Sequence, residues 1–149
     1  MDLSQKNARI IFLDLHQNIE EYSDTAVTKI LEEKNFEYLA YPPNSGFSEK
    51  EKQELNKLNN NEELKNALRK VIADAASGVL FEFLNTIDGT GDPKNDDEGQ
   101  WSTVKLIDED WEEENEAVDE MLHDMFNETY WDWKERRGNK AWKLDTLEE

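Results

Sequence analysis

The residues with the most chemical potential form one run, IDEDWEEENEAVDE, from Ile107 to Glu120, which holds nine carboxylates and no basic residue. So many like charges repel one another and attract a basic surface. The run leads into apolar residues at helical spacing, which leaves two interpretations open. The carboxylates are either the solvent side of a helix, with acids placed at its positive end, or a surface directed at a basic partner.

Other residues that could do chemistry are sparse. The chain has no cysteine, which excludes disulfides and thiolate-bound metals. His16 and His123 lie far apart in the sequence, and an imidazole beside carboxylates, as at His123, is more typical of a surface hydrogen-bond partner than of a metal ligand. The sequence therefore predicts no catalytic residue, no metal site and no cofactor.

Two acids, Asp74 and Glu82, fall in a segment whose pattern predicts an enclosed helix. A buried acid needs a partner, which Arg69, His16 or a backbone amide could provide. Structural pairing is the expected role of both acids. The alternative is a small enzyme that uses them together with a histidine.

The segment DGTGDPKNDDEGQ places Asp88, Thr90, Asp92 and Asp96 at alternate positions, as in a calcium-binding loop. Glycine occupies the second position, lysine the seventh, and glycine also stands where the bidentate glutamate should be. We therefore expect an exposed, acidic, glycine-rich loop over residues 89–100 rather than a cation site.

Charge is the strongest global feature, since 36 acidic and 17 basic residues give a net charge of −19. Residues 108–149 hold 16 of the acids and five of the bases, which makes this third of the chain the acidic pole. Such a field repels nucleic acid and anionic membranes and speeds encounter with basic proteins. The expected partner is therefore a basic protein, with no direct contact to nucleic acid or membrane.

The chain has the composition of a folded protein rather than a disordered acidic tail, because 36% of its residues are hydrophobic and it contains five tryptophans. The apolar run near the start, Ile10 to Leu13, is only four residues long and Asp14 interrupts it. This run is too short for a signal peptide or a membrane span, so the expected location is the cytoplasm.

The elements that must position these residues are mainly helical, and we predict a single domain over residues 1–149. Two amino-terminal helices, the second capped by Ser23, precede a short polar helix from Glu49 to about Leu58, which Ser48 and Glu51 begin with capping-box spacing. The longest helix covers 61–88 and ends at Gly89. Its apolar stripe predicts a central, enclosed helix.

An amphipathic helix with an acidic face is predicted over 110–137, because residues from Val118 to Trp133 follow helical spacing without a miss. Before it, WSTVKLI alternates like a strand, so a small two-stranded element is possible. Residues 139–149 are predicted to form a loose tail. The predicted fold is thus a mainly α, single-domain bundle of about four to five helices.

These features together resemble those of the small acidic immunity proteins of bacterial toxin systems, in which a carboxylate-rich helix carries interleaved aromatics. The resemblance is one of overall character, seen in pairs such as Asp110 with Trp111 and Tyr130 with Trp131. It implies inhibition of a cognate nuclease or other basic toxin by covering its substrate-binding surface.

The leading hypothesis is accordingly a non-enzymatic protein that neutralises a basic partner. Alternatives are a nucleic-acid mimic that inhibits a DNA- or RNA-binding enzyme, the small enzyme described above, and an assembly subunit that forms a homodimer. The predicted partner-binding residues are Asp110, Trp111, Glu112, Glu113, Glu116, Glu120 and Trp131.

Overall fold

The computed structural model describes residues 2–138 and is mainly helical, as predicted. Its elements are α1 (Gln5–Val27), α2 (Glu49–Asn56), α3 (Glu62–Asp88) and α4 (Leu122–Arg136), with a π-helical stretch, Thr28–Glu32, that directly follows α1. The described residues contain no strand, and their β pairing is one isolated antiparallel bridge between Ser4 and Ala117. The two-stranded element therefore does not form in this part of the chain.

The chain divides into two compact units. Of the described residues, the first unit holds 2–18 and 76–138, and the second holds 19–75. The expectation of a single domain over 1–149 stays a prediction.

The core of the first unit lies between the beginning of α1 and α4. Phe12 and Phe126 meet edge to face with their ring centroids 6.0 Å apart, and His16 stacks on Phe126 at 4.5 Å. The predicted apolar stripe of α4 is confirmed from its first residue onward, because the buried side chains recur at the three- and four-residue spacing of one helix face. Its buried residues are Leu122, Met125, Phe126, Thr129 and Trp133.

The second unit is held together by ion pairs as well as by apolar contacts. Arg69 on α3 lies 2.5 Å from Asp24 on α1, and Lys65 pairs with Glu32. Helix α2 begins with the predicted capping box, in which Ser48 accepts from the Glu51 amide and Glu51 accepts from the Ser48 amide. This helix buries no residue, which agrees with its polar sequence.

The prediction of two amino-terminal helices is wrong, because α1 is continuous from Gln5 to Val27. Ser23 was expected to cap the second helix. It is fully buried instead, and its hydroxyl donates to the Ile19 carbonyl one turn earlier. That bond satisfies the hydroxyl inside the helix, so no break is needed.

The predicted bounds of the long helix are confirmed by α3, but its enclosure is wrong. Val71, Val79 and Phe83 are 65%, 71% and 56% exposed. Asp74 and Glu82 are exposed as well, so neither is the buried acid that the pattern predicted. The side of α3 that carries Val79 and Phe83 therefore has no cover from the described residues.

The helix predicted over 110–137 begins only at Leu122 and ends at Arg136. The Asp88 carboxylate accepts from the backbone amides of Leu122 and His123 at 2.9 and 3.0 Å, which satisfies two of the free amides at a helix start. Before Leu122, the backbone at Glu116 and Val118 bonds to Gln5 and Leu3 near the amino terminus, and Asn115 donates to the Glu112 carbonyl in a local turn. The predicted loose tail, 139–149, lies outside the described residues.

Candidate partner-binding surface

The acidic segment, defined here as residues 109–120, is a non-helical excursion whose backbone is fixed to residues near the amino terminus. Gln5 donates its backbone amide to the Glu116 carbonyl at 2.8 Å, and the Val118 amide donates to the Leu3 carbonyl at 2.9 Å. These two bonds flank the bridge between Ser4 and Ala117. The segment is therefore held in place by contacts with residues more than 100 positions away in the sequence, rather than by a helix of its own.

Asp108 anchors the segment at its start. Its amide donates to the Asp2 carbonyl at 2.9 Å, and its Oδ1 accepts from the Ser4 amide at 3.1 Å. The side chain is buried, and a hydrogen bond from the Ser4 side chain holds the pKa of this carboxyl below its usual value. One of the nine carboxylates is thus structural.

The other eight carboxylates of the run share a different environment, since all of them are exposed. They are Glu109, Asp110, Glu112, Glu113, Glu114, Glu116, Asp119 and Glu120. No basic side chain within residues 2–138 forms an ion pair with any of them. Trp111 is half-buried among these acids. The segment therefore presents uncompensated negative charge around one aromatic side chain.

The acidic segment ends at a cleft between α1 and α4, which Glu120 lines together with Glu128 and Asp132 of α4. The volume of this cleft is about 290 Å³. Partial burial and the neighbouring Glu128 carboxylate raise the pKa of Glu120 above its usual value. Arg9 of α1 enters the cleft, with its Nε 3.2 Å from the Asp132 carboxylate. The negative surface thus continues from the segment onto α4.

Trp131, the predicted aromatic anchor on α4, is 62% exposed. Tyr130 packs edge-on against it, with ring centroids 5.5 Å apart. The Nζ atom of Lys134 lies 5.6 Å from the Trp131 ring centroid, which is within the range of a cation–π contact. The exposed ring therefore already carries a cation of its own chain, which is the kind of contact that a partner's lysine or arginine would make.

The two histidines have structural partners. Nδ1 of His123 lies 2.6 Å from the Asp88 carboxylate, and its ring meets Phe81 edge-on at 5.2 Å. Nε2 of His16 donates to the Phe126 carbonyl at 2.7 Å, because a carbonyl can only accept. Burial lowers the pKa of His16, so the ring is neutral at pH 7.

The acids of the glycine-rich loop are also engaged in backbone contacts. Asp96 accepts from the amides of Gln100 and Trp101 at 2.7 and 3.1 Å, and Asp88 caps α4 as described above. Two of the four side chains that suggested a calcium loop therefore bind amides. Among the described residues, no group of three or more His, Asp or Glu side chains is arranged to hold a metal ion.

The structure brings Glu120 next to Glu128 and Asp132, a juxtaposition that the sequence did not indicate. The available signal was the i, i+4 spacing of Glu128 and Asp132 on the side of α4 that also carries Trp131. Arg9 had no signal, because its position opposite α4 depends on how α1 packs.

Comparison with protein-family models, with characterised proteins and with solved structures finds no match to this chain. No helix within residues 2–138 is long and apolar enough to cross a membrane.

Proposed function

We propose that this protein is a non-enzymatic, cytoplasmic binding protein that neutralises a basic protein partner, as an immunity protein blocks its toxin. The observation that supports the proposal most is the state of the acidic segment. Eight exposed carboxylates lie on a backbone fixed by residues 2–5, and none has an ion-pair partner among the described residues. A helix with dipole-matched acids would explain them without a partner, but that helix starts only at Leu122.

In the proposed mechanism, the field of the acidic segment first steers the partner, and the aromatic anchors then dock. Like charges on one surface destabilise the fold and accelerate encounter with an oppositely charged protein. Trp111 and Trp131 supply apolar area within the acidic surroundings, which is typical of the residues that dominate binding energy. The charge contacts are Asp110, Glu112, Glu113, Glu116 and Glu120.

A preformed segment also reduces the entropic cost of binding. A disordered acidic tail would lose conformational freedom on docking, whereas backbone bonds at Glu116 and Val118 already order this one. The geometry therefore favours a specific partner over general attraction to basic molecules.

The proposal is tested by affinity capture from the source cell at low and high salt, with the captured proteins identified by mass spectrometry. We expect the wild-type chain to retain one basic protein stoichiometrically, and to retain less of it at high salt because the charges are screened. A variant with Glu112, Glu113, Glu116 and Glu120 replaced by glutamine should lose it.

The matched control carries the same charge change at exposed acids outside the segment: Glu63→Gln, Asp92→Asn, Asp97→Asn and Glu98→Gln. This control should capture the partner as the wild type does. Equal loss from both variants would mean that net charge alone attracts the partner, and would contradict a defined acidic site. Capture of a nucleic-acid enzyme would favour the mimic over the toxin inhibitor.

A further inference from the structure

The strand-like stretch WSTVKLI has no partner strand within the described residues. Residues 101–107 contain no helix, turn or bend, so the chain runs on without reversing its direction. At the rise of a strand these residues cover about 20 Å, which is a typical strand length. We call this stretch the extended segment and define it as residues 101–107.

Hydrogen bonds fix the chain at both ends of the extended segment. At its start, the Asp96 carboxylate accepts from the Gln100 and Trp101 amides at 2.7 and 3.1 Å. Just beyond its end, the Asp108 amide donates to the Asp2 carbonyl at 2.9 Å. The segment therefore has a fixed path before any partner arrives, which lowers the entropic cost of pairing with it.

The backbone between these two fixed points is open. Five residues form no backbone hydrogen bond with any other described residue: Ser102, Thr103, Val104, Leu106 and Ile107. Backbone groups in this state pair readily with another chain, as those at the edge of a sheet do. Addition of a partner's strand to such an edge is a known mode of peptide recognition.

The side chains of the extended segment also favour a strand as the partner. Trp101, Thr103, Val104 and Ile107 are all of types that are enriched in strands. Three of these side chains are accessible, since Trp101, Val104 and Ile107 are 38%, 50% and 46% exposed. A paired strand places its own side chains beside them and removes apolar area from water.

The charges at the ends of the extended segment determine which strand fits it. Exposed acids lie on both sides, and none of them forms an ion pair with a described residue: Asp97 and Glu98 before the segment, Glu109 and Asp110 after it. A strand that crosses the segment in either direction therefore meets negative charge at both of its ends.

The nearby bases do not cancel this charge. Lys105 has an ion-pair partner at the amino terminus. Lys6 of α1 is among the groups that act on the buried Asp108 carboxylate. Lys94, in the preceding loop, is matched by the exposed Asp92 two positions earlier. The complementary strand therefore carries lysines or arginines at its ends.

A second copy of this chain is a poor partner for the same reason. Two copies paired in antiparallel fashion about Val104 would bring the acids at the start of one segment against the acids at the end of the other. Parallel pairing would place start against start and end against end. Like charges that lie opposite each other on paired strands oppose association.

We infer that the extended segment binds a β-strand of a partner protein, with arginines or lysines at both ends of that strand. The inference rests on the proposed function in one respect, namely that the partner is basic. It uses different residues, however, because the extended segment shares none with the acidic segment. The two can therefore be tested separately.

The first test uses a fluorescently labelled peptide of about nine residues, in which valine and threonine alternate between two arginines at each end. Its anisotropy is titrated with the wild-type protein. We expect saturable binding, and binding at least about tenfold weaker for a peptide with glutamates in place of the arginines, because the end charges are then alike. Equal binding of the two peptides would overturn the assigned strand chemistry.

Backbone pairing is tested with two N-methylated versions of the arginine peptide. Alternate amides of a strand point to opposite edges, so one version carries methyl groups on the amides of one edge and the second version on those of the other. Only the edge that faces the protein should matter, so one version should lose binding and the other should keep it. Equal binding of both versions would overturn the inference, because side chains or charge alone would then hold the peptide.

Two proline variants repeat this comparison on the protein. Thr103→Pro and Val104→Pro remove amides that point to opposite edges of the extended segment and that have no bonding partner among the described residues. We expect one of them to weaken the arginine peptide about tenfold or more and the other to leave it nearly unchanged. Urea unfolding should give both variants nearly wild-type stability. Unchanged peptide binding by both would overturn the inference.

Capture of the partner separates this inference from the proposed function. The acidic-segment variant, with glutamine at Glu112, Glu113, Glu116 and Glu120, should lose the partner whether or not a strand is added. If both proline variants capture the partner as the wild type does, the inference is overturned and the proposed function stands. If the acidic-segment variant captures it fully, the proposed function fails, and the peptide titrations still decide the inference. Concentration-dependent dimerisation that Thr103→Pro or Val104→Pro abolishes would also overturn the inference, since a second copy would then pair with the segment.

Discussion

Acidic residues serve opposite purposes in two regions of this molecule. In residues 19–75 most of them form ion pairs with bases, such as Asp24 with Arg69, Glu33 with Lys29, and Glu37 with Lys52. In the acidic segment, eight exposed carboxylates have no ion-pair partner within the described chain. Both regions are rich in acidic residues, but only the first has basic partners for most of them. Carboxylates without such partners repel one another, so the protein does not need them in order to fold.

The difference also lies in what fixes each region. The ion pairs of residues 19–75 connect helices that already exist, such as α1 and α3. The acidic segment has no helix of its own and is held by backbone bonds to Leu3, Gln5 and the anchor at Asp108. The first region uses charge for structure, whereas the second uses backbone contacts to present charge.

The largest expected effect is on association rate. Once the partner is identified, reversing Glu112, Glu113, Glu116 and Glu120 to lysine should slow association by about 10- to 1,000-fold at low salt, since steering contributes that range. Stopped-flow or surface-plasmon kinetics at several salt concentrations measure it. An unchanged rate would remove the acidic segment as the site.

Trp131→Ala separates binding from stability. Because the ring is 62% exposed, its loss should change the free energy of unfolding by less than about 0.5 kcal/mol. Loss of an aromatic anchor should weaken partner affinity by about 2 kcal/mol or more. Calorimetric titration and urea unfolding of the same preparation compare the two, and a variant that loses stability but keeps affinity would show that Trp131 is a packing residue.

Asp88→Ala should destabilise the protein by about 1–2 kcal/mol, because it removes a cap from two backbone amides at the start of α4. Urea unfolding measures the loss. Asp92→Ala, at an exposed position in the neighbouring loop, is the control and should have little effect. Equal stability of both variants would mean that the helix start does not depend on this cap.

The two acidic regions should respond to neutralisation with opposite signs. Glutamine at Glu112, Glu113 and Glu116 relieves repulsion and should raise the melting temperature at low salt. Asp24→Asn leaves Arg69, whose side chain is only 11% exposed, without its counterion. This substitution should therefore lower the melting temperature. Differential scanning calorimetry measures both changes. If both variants changed the melting temperature in the same direction, the distinction between paired and unpaired acids would be contradicted.

The smallest expected effect is a pH dependence from His16. Burial lowers its pKa in the folded state, so between about pH 6.5 and the folded pKa the unfolded chain binds more protons. Stability should therefore fall as the pH drops below about 6.5. His16→Phe removes the titrating ring, and a flatter stability profile between pH 5 and 6.5 is the expected result; an identical slope would assign the dependence to other groups.

Periodicity predicted the helices with strong local signals. The bounds of α3, the capping box at Ser48 and the buried stripe of α4 all depend on contacts within a few residues. Periodicity failed where contacts between residues far apart in the sequence determine the structure. The start of α4 depends on Asp88, and the path of residues 109–120 depends on hydrogen bonds to residues 2–5, which no local pattern contains.

The exposure of α3 was mispredicted for another reason. An apolar residue at helical spacing indicates a face that needs cover, but the sequence does not say whether the same chain provides it. Val79 and Phe83 satisfy the pattern and remain exposed. For the candidate site, the residue types were predictable, while the cleft beside Glu120 followed only from the packing of α1 against α4.

The position of Asp88 affects which part of the chain can vary in evolution. It is the last residue of α3, and its carboxylate binds the first amides of α4, so residues 89–121 leave and return at one point. Residues 89–100 within that excursion form turns on the surface. Their length and sequence can vary without shifting the register of either helix, which makes this stretch a natural position for insertions and for grafted tags.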